Sequence, residues 1–285
     1  MILSFHPLIP ADKNILCAGR NPDKSDLEAI KCAHVVILPQ GCSKKLYEMA
    51  RYSCRHVFPN FDMRFCFPGK LAQIELFQIM GISHPKTVCF DNLKAFFSRY
   101  KISEKDLPLA FPFVFKFDWG GEGDMVFLIR SLSDLSFVIT KARRYEISGQ
   151  KGFLIQEYIP SDAKSMRTVV VGNNLYSYWR TQKDPNKFKT GLASGSSIDY
   201  LSDPQLRQTA ERFVKPFLQK TKINLAGIDI IFSSLSKKPY ILEINYFFGR
   251  RGLGGSEAFY KILIRAINQW LASLGYRRCL EIDTL

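Results

Sequence analysis

The sequence predicts an α/β fold: a small parallel-sheet domain followed by sheets built from hairpins. Three observations predict it. Residues 1–66 alternate short apolar runs with helical stretches, the pattern of parallel strands linked by helices. Beyond Pro68-Gly69 the apolar runs come in pairs joined by polar or glycine-containing turns, which is how antiparallel strands connect. Hydrophobic residues make up 46% of the 285-residue chain, enough for a large core divided among two or three small domains.

In the first domain, residues 14–18, 34–38 (HVVIL) and 56–59 read as strands, with helical stretches at 23–32 and 44–51 between them. No GxGxxG is present, so a dinucleotide site has no support. Pro68-Gly69 breaks the chain, and KLAQIELFQIM then reads as a helix ended by Gly81. Lys70 stands at its amino end, where the macrodipole disfavours a cation. Two readings stay open for it: snorkelling into solvent, or a bound phosphate that reverses the penalty.

A strand at 88–90 and a helix at 92–100 lead into PFVFKFDWGGEGDMVFLI, a strand–loop–strand unit. Lys116 is the only charge in the run 111–117, so it either emerges on a solvent face by alternation or points at an anion. The loop after it carries Gly120, Gly121 and Gly123, and such a loop can fold its N–H groups over phosphates. A helix at 132–145 and a strand at 152–160 follow. RTVVVGNNLYSYWRTQ is a hairpin turning at 172–174, with Arg167 and Arg180 near the outer ends of its strands, as neighbours. The polar loop DPNKFKTGLASGSS contains Lys187 and Lys189. Helices at 204–220 and 260–274 flank the last hairpin.

That hairpin, AGIDIIFSSLSKKPYILEINYFFG, holds the most informative pattern. Its strands are apolar except for Asp229 in the first and Glu243 and Asn245 in the second. Residues i and i+2 share a strand face, so Glu243 and Asn245 point together, and pairing across the turn brings Asp229 to face them. One reading puts these groups on solvated strand edges. The other has them hold a divalent cation, because a bare carboxylate among Ile, Leu and Phe is costly and Mg²⁺ takes one or two carboxylates plus nucleotide phosphates.

Totals exclude several classes. The seven cysteines (17, 32, 42, 54, 66, 89, 279) form no CxxC pair and no zinc spacing with the four histidines, which fits reduced thiols in a cytoplasmic protein. No leader pattern opens the chain, and no run approaches the roughly 18 apolar residues of a membrane span. The net charge of +14 points to an acidic partner: a nucleotide, an anionic substrate, nucleic acid or an acidic protein tail. The basic residues occur as scattered doublets, Arg277-Arg278 among them, and these read as solvated surface. With no long basic run, nucleic acid is not the expected partner.

Taken in order, these motifs resemble the ATP-grasp superfamily, most closely its branch of bacterial glutathione synthetases and ribosomal-protein glutamate ligases. The resemblance runs from about Lys70 to Trp270. It rests on Lys70 ahead of GISHPKT, Lys116 ahead of WGGEG, the hinge QEYIP (156–160), the hairpin arginines Arg167 and Arg180, and the strands GIDI and LEIN.

The resemblance implies an N-terminal domain at 1–66, a central subdomain at 67–150 with the glycine lid, and a C-terminal subdomain at 151–285 with the metal site. The two subdomains would clamp ATP through antiparallel sheets. Lys70 and Lys116 would hold phosphates, and Gly120, Gly121 and Gly123 would close over them. Adenine would sit among Leu154, Ile231 and Leu242, reading the main chain of Gln156, Glu157, Tyr158 and Ile159. Asp229, Glu243 and Asn245 would hold one or two Mg²⁺, or Mn²⁺ in their place. The implied reaction joins an acidic carboxylate to an amine or other nucleophile through an acyl phosphate, with Arg167, Arg180, Lys189 and Arg250 on the substrates. Related ligases are often dimers or tetramers, so the resemblance allows a homo-oligomer, while the sequence itself does not set the oligomeric state.

Three departures fall on the substrate side. Ser165 stands where the family places a ribose-binding acid, leaving Asp162 as the substitute. Lys189 replaces the arginine of the family's R-x-N-L-x-x-G-G loop, and Gly191 its asparagine. Tyr246-Phe247-Phe248-Gly249-Arg250-Arg251 replaces Ser-Pro-Gly after the metal strand, which makes Arg250 and Arg251 anion contacts. Two alternatives stand behind the ligase: a phosphotransferase acting on a hydroxyl or a histidine, and a nucleotide-binding protein that uses its basic surface to hold RNA or an acidic protein.

Overall fold

The computed structural model describes residues 1–121, 123–184, 187–276 and 280. Arg277, Arg278 and Cys279 lie outside them. Among the described residues, no helix is long and apolar enough to cross a membrane.

The first sheet is parallel, in the order β2-β1-β3-β4, from β1 (Ile2–Ser4), β2 (Lys13–Asn14), β3 (Val35–Ile37) and β4 (His56–Phe58). Helices α1 (Lys24–Lys31) and α2 (Lys44–Ser53) make the crossovers. Asp23 and Ser43 cap their amino ends, as Asp and Ser do when a side-chain oxygen accepts a free helix N–H. The strand expected at 14–18 is corrected: the buried strand is Ile2–Ser4, and only Lys13–Asn14 pairs later, at the exposed edge. Three residues are too few to show a period.

After α3 (Asp62–Cys66), helix α4 (Gly69–Met80) ends at Gly81, whose φ of +68° is the left-handed cap expected of glycine. The second sheet is antiparallel, β5-β8-β6-β7, from β5 (Thr87–Phe90), β6 (Phe113–Phe117), β7 (Val126–Ile129) and β8 (Phe153–Glu157). Helices α5 (Leu93–Phe97) and α6 (Leu132–Ile147) accompany it. The boundary expected at 150 cuts β8 away from this sheet. In the structure β8 pairs with both β5 and β6, and Phe153 stacks on Phe115 at 4.7 Å, so 158–163 is the connection onward.

The third sheet, also antiparallel, has the order β11-β10-β9-β12-β13. Its strands are β9 (Lys164–Val171), β10 (Asn174–Thr181), β11 (Ser197–Asp199), β12 (Leu225–Phe232) and β13 (Pro239–Asn245). Helix α7 (Pro204–Thr221) precedes β12 and α8 (Gly255–Ser273) follows β13, starting a turn and more before the expected residue 260. Burial is not evenly shared. One core joins the first and third sheets, while a second, rich in phenylalanine, lies under the middle sheet alone.

Candidate active site

The register of the third sheet lays a row of polar side chains across four strands. Tyr178 pairs with Arg167, Arg167 with Asp229, and Asp229 with Glu243. Directly opposed residues share a face, so the row forms one surface, and Arg180, two positions beyond Tyr178, joins it. Gly227 leaves room for this packing: a Cβ there would stand 3.3 Å from Cδ of Arg167.

Asp229 is only 8% exposed and heavily bonded. Arg167 donates Nε to its Oδ1 at 2.7 Å and Nη2 to its Oδ2 at 2.8 Å. Nη2 of Arg180 lies 3.0 Å from Oδ1, and Asn245 donates Nδ2 to Oδ2 at 3.2 Å. Burial pushes this carboxyl up, but the two guanidiniums outweigh burial and hold it down at about 2. The opposite happens at Glu243, where burial and the neighbouring Asp229 charge raise the carboxyl above its ordinary range against the pull of Lys70 and Lys116. Two carboxylates meet here, one neutralised by arginines and one not.

The middle sheet faces this row with Lys116. Its Nζ donates to Oε1 of Gln156 at 2.7 Å, and Gln156 is fixed in turn by donating to Thr87 Oγ1 at 2.9 Å. Burial pulls the Lys116 ammonium down to about 8, partly opposed by Glu243.

A cavity lies between the two sheets. The structure brings to its wall Lys116, Gly123, Gln156, Glu157, Tyr158, Ile159, Arg167, Arg180, Lys189, Asp229, Leu242, Glu243 and Asn245 of the residues singled out from sequence. Its apolar lining includes Val114, Val126 and Ile231, whereas Leu154 is buried in the large core and does not line it. Thr190, behind the arginines, donates to Ser165 Oγ at 2.6 Å, the same hydroxyl that accepts from Arg180 Nε and Nη2 at 3.2 and 3.0 Å.

Other expected residues stand elsewhere. Lys70 donates its Nζ to the carbonyls of Trp119 (3.2 Å) and Gly120 (2.9 Å), tying α4 to the glycine loop from outside the cavity wall. Gly120 and Gly121 belong to that loop without lining the cavity. Asp162 sits 3.8 Å from Lys237 on the surface. Arg250 lies over the rings of Phe259 and Tyr260 at 5.0 and 4.7 Å, near His6, and Arg251 is exposed. Sequence reasoning passed over Tyr178, whose position two residues before Arg180 already placed it on the same face.

The donor set suits a hard divalent cation. Among the described residues no cluster of three or more His, Cys, Asp or Glu side chains converges, so a cation held by the pair Asp229 and Glu243 would need further oxygens from the Asn245 amide and a bound ligand. Burial first and the Asp229 charge second raise Glu243, and a cation beside the pair would offset both.

Comparison with known proteins bears on the family and the fold. A family model described as the RimK-like ATP-grasp domain matches residues 70–266, from the start of α4 into α8. The chain belongs to this family. The chain's curated relatives include a probable alpha-L-glutamate ligase of Xylella fastidiosa, 27% identical over 210 residues, covering 72% of this chain and 64% of the relative. Another is the glutamate–LysW ligase ArgX of Sulfurisphaera tokodaii, 26% identical over 182 residues, covering 63% of this chain and 62% of the relative. The chain thus spans just under two thirds of the length of either relative. Among solved structures, a RimK-domain ATP-grasp protein from Sphaerobacter thermophilus superposes with a TM-score of 0.56 at 17% identity, over 81% of this chain and 80% of that one. At that identity the likeness concerns the fold: two antiparallel sheets around a cleft, as the motif resemblance implied.

Proposed function

We propose that this chain is an ATP-dependent ligase that activates a carboxylate as an acyl phosphate and passes the acyl group to an amine. The observation that carries the proposal is the single cavity in which Lys116 from one sheet faces Arg167, Arg180, Asp229, Glu243 and Asn245 from the other. Adenine fits the apolar end formed by Val114, Ile231 and Leu242, beside the main chain of Glu157–Ile159. Lys116 holds phosphate oxygens, and Lys70 positions the glycine loop above them. Asp229, Glu243 and Asn245 hold Mg²⁺, which supplies neutralisation of phosphate charge when bound.

In the first half-reaction an oxygen of the donor carboxylate forms a bond to the γ-phosphorus as the bond to the β–γ bridging oxygen breaks and ADP departs. In the second, the amine nitrogen bonds to the acyl carbon, phosphate leaves with the C–O bond electrons, and the nitrogen gives up a proton. Arg167 and Arg180 suit the oxyanions of both steps, since planar guanidinium forks match carboxylate and phosphoryl oxygens. Positioning and charge stabilisation supply most of the rate in such chemistry. The names of both curated relatives make L-glutamate the first substrate to test, beginning with the carboxylate role and then the amine role.

Thermal stabilisation by AMPPNP with and without Mg²⁺ tests the nucleotide site, since a ligand selective for the folded state raises its apparent stability. A Mg²⁺-dependent rise is expected in the wild type and lost in Glu243→Gln and Lys116→Ala. Incubation with ATP, L-glutamate and hydroxylamine is then expected to give ADP and a hydroxamate, the trapped acyl phosphate. A stable phosphorylated product in its place would make the chain a phosphotransferase.

A further inference from the structure

We infer that Arg167 and Arg180 form an oxyanion site that Asp229 keeps closed until a divalent cation takes that carboxylate. The inference rests on the proposed role of Asp229 as a metal carboxylate. It adds a coupling between two ligands of the cavity.

A carboxylate offers about four lone-pair positions. At Asp229 three hydrogen bonds and an ion pair crowd both oxygens: Oδ1 accepts from Arg167 Nε and stands 3.0 Å from Arg180 Nη2, and Oδ2 accepts from Arg167 Nη2 and Asn245 Nδ2. A cation therefore gains this carboxylate only by displacing a donor. Glu243, directly opposite, has no hydrogen bond or ion pair among the described residues, so it is the carboxylate open to a first contact.

Once displaced, the guanidiniums stay largely buried at the cavity wall. Arg180 is 7% exposed and remains tethered to Ser165 Oγ, which Thr190 also engages. Arg167 is confined beside Gly227. Two buried cations without a counter-ion are costly, and an arriving oxyanion offsets that cost. Cation and oxyanion then bind cooperatively, each raising the affinity of the other by the same factor. The oxyanion is a phosphoryl or a carboxylate group, both of which a guanidinium fork accommodates.

Calorimetric titration in EDTA isolates the arginines from the metal. The proteins are the wild type, Asp229→Asn and Glu243→Gln, and the probes are AMPPNP, inorganic pyrophosphate and L-glutamate. Asp229→Asn is expected to bind a metal-free probe about tenfold more tightly than the wild type, a gain within the usual range of coupling between sites. Glu243→Gln removes the same charge a strand away without freeing an arginine, so it is expected to change affinity by less than about threefold. A gain with AMPPNP or pyrophosphate assigns a phosphoryl occupant, and a gain with L-glutamate a carboxylate. Equal gains in both variants would reduce the effect to lost negative charge and overturn the inference, as would no gain in Asp229→Asn with any probe.

A parallel wild-type titration with Mg²⁺ and AMPPNP reports on the nucleotide site itself. Its failure sinks the ligase reading, while the pyrophosphate and L-glutamate titrations in EDTA still decide the arginine site. Should Asp229→Asn fail to fold, Arg180→Gln carries the test in the other direction. With one donor fewer on Asp229, Mn²⁺ titrated without nucleotide is expected to bind about threefold more tightly than to the wild type, and equal or weaker binding would overturn the inference.

Discussion

The sheet that carries Lys116 and the sheet that carries Asp229 stand on different foundations. The third sheet shares one continuous core with the N-terminal parallel sheet, so its arginines and carboxylates are set in the larger part of the molecule. The middle sheet rests on its own small core, in which Phe90, Phe96, Phe115 and Phe153 pack ring against ring. The cavity is the seam between these two cores. Lys116 therefore stands on a sheet packed mainly on one core, and Asp229 and Glu243 on a sheet packed on the other. The difference teaches that the spacing across the cleft depends on the few bonds that cross the seam.

The strongest way to break this comparison is to empty the small core. Phe115→Ala removes a fully buried ring stacked on Phe153 and is expected to cost about 3–5 kcal/mol. Hydrogen exchange should show protection lost from β5 to β8 while β12 and β13 keep theirs, because locally cooperative units open separately. Loss of protection throughout the chain would make the two cores a single unit and end the distinction.

A second test sharpens the electrostatic side. Lys116 titrates near 8 because burial disfavours its charge, so in the free protein the ammonium is present below that pH and lost above it. Phosphate needs the charged form. AMPPNP affinity is thus expected to be flat from pH 6 to 7.5, then to fall about tenfold by pH 9. Lys116→Arg, which stays charged, is expected to flatten the profile even if its affinity is lower. A wild-type profile without that fall would remove Lys116 from the phosphates.

These tests also measure how much of the site was legible beforehand. The row across the third sheet was readable because strand period and hairpin pairing fix which residues oppose: Asp229, Glu243 and Asn245 needed only alternation and a turn. The engagement of Asp229 by two arginines was not readable. It depends on β9 lying between β10 and β12, a sheet order that a hairpin pattern leaves open. Lys116 was recognisable as an isolated charge, but its bond to Gln156 joins strands 40 residues apart. Ile2–Ser4 escaped because so short a strand has no period, and β8 was assigned across a boundary because its partners are distant in sequence. Arg250 follows β13 closely in sequence, yet the turn after that strand carries it onto α8 aromatics.

The smallest effect probes the seam itself. β13 is the edge of its sheet, and the side chain of Gln73 on α4 acts there as a strand partner. It donates Nε2 to the Ile244 carbonyl at 3.0 Å and accepts the Ile244 N–H at 2.8 Å. The same helix reaches the middle sheet through Leu71 N–H on Asp118 Oδ1 at 2.9 Å and through Lys70 on the glycine loop. Gln73→Ala leaves both Ile244 groups unpaired and is expected to cost about 1 kcal/mol in urea unfolding. Because α4 joins the two bodies, the variant is also expected to weaken Mg²⁺·AMPPNP binding by about threefold, while the metal-free arginine site keeps its affinity. Gln73→Glu, which retains the acceptor but loses the donor, should fall between Ala and the wild type. If stability falls but nucleotide affinity does not, the edge pairing serves the sheet alone, and the spacing across the cleft is set by the connection at 158–163.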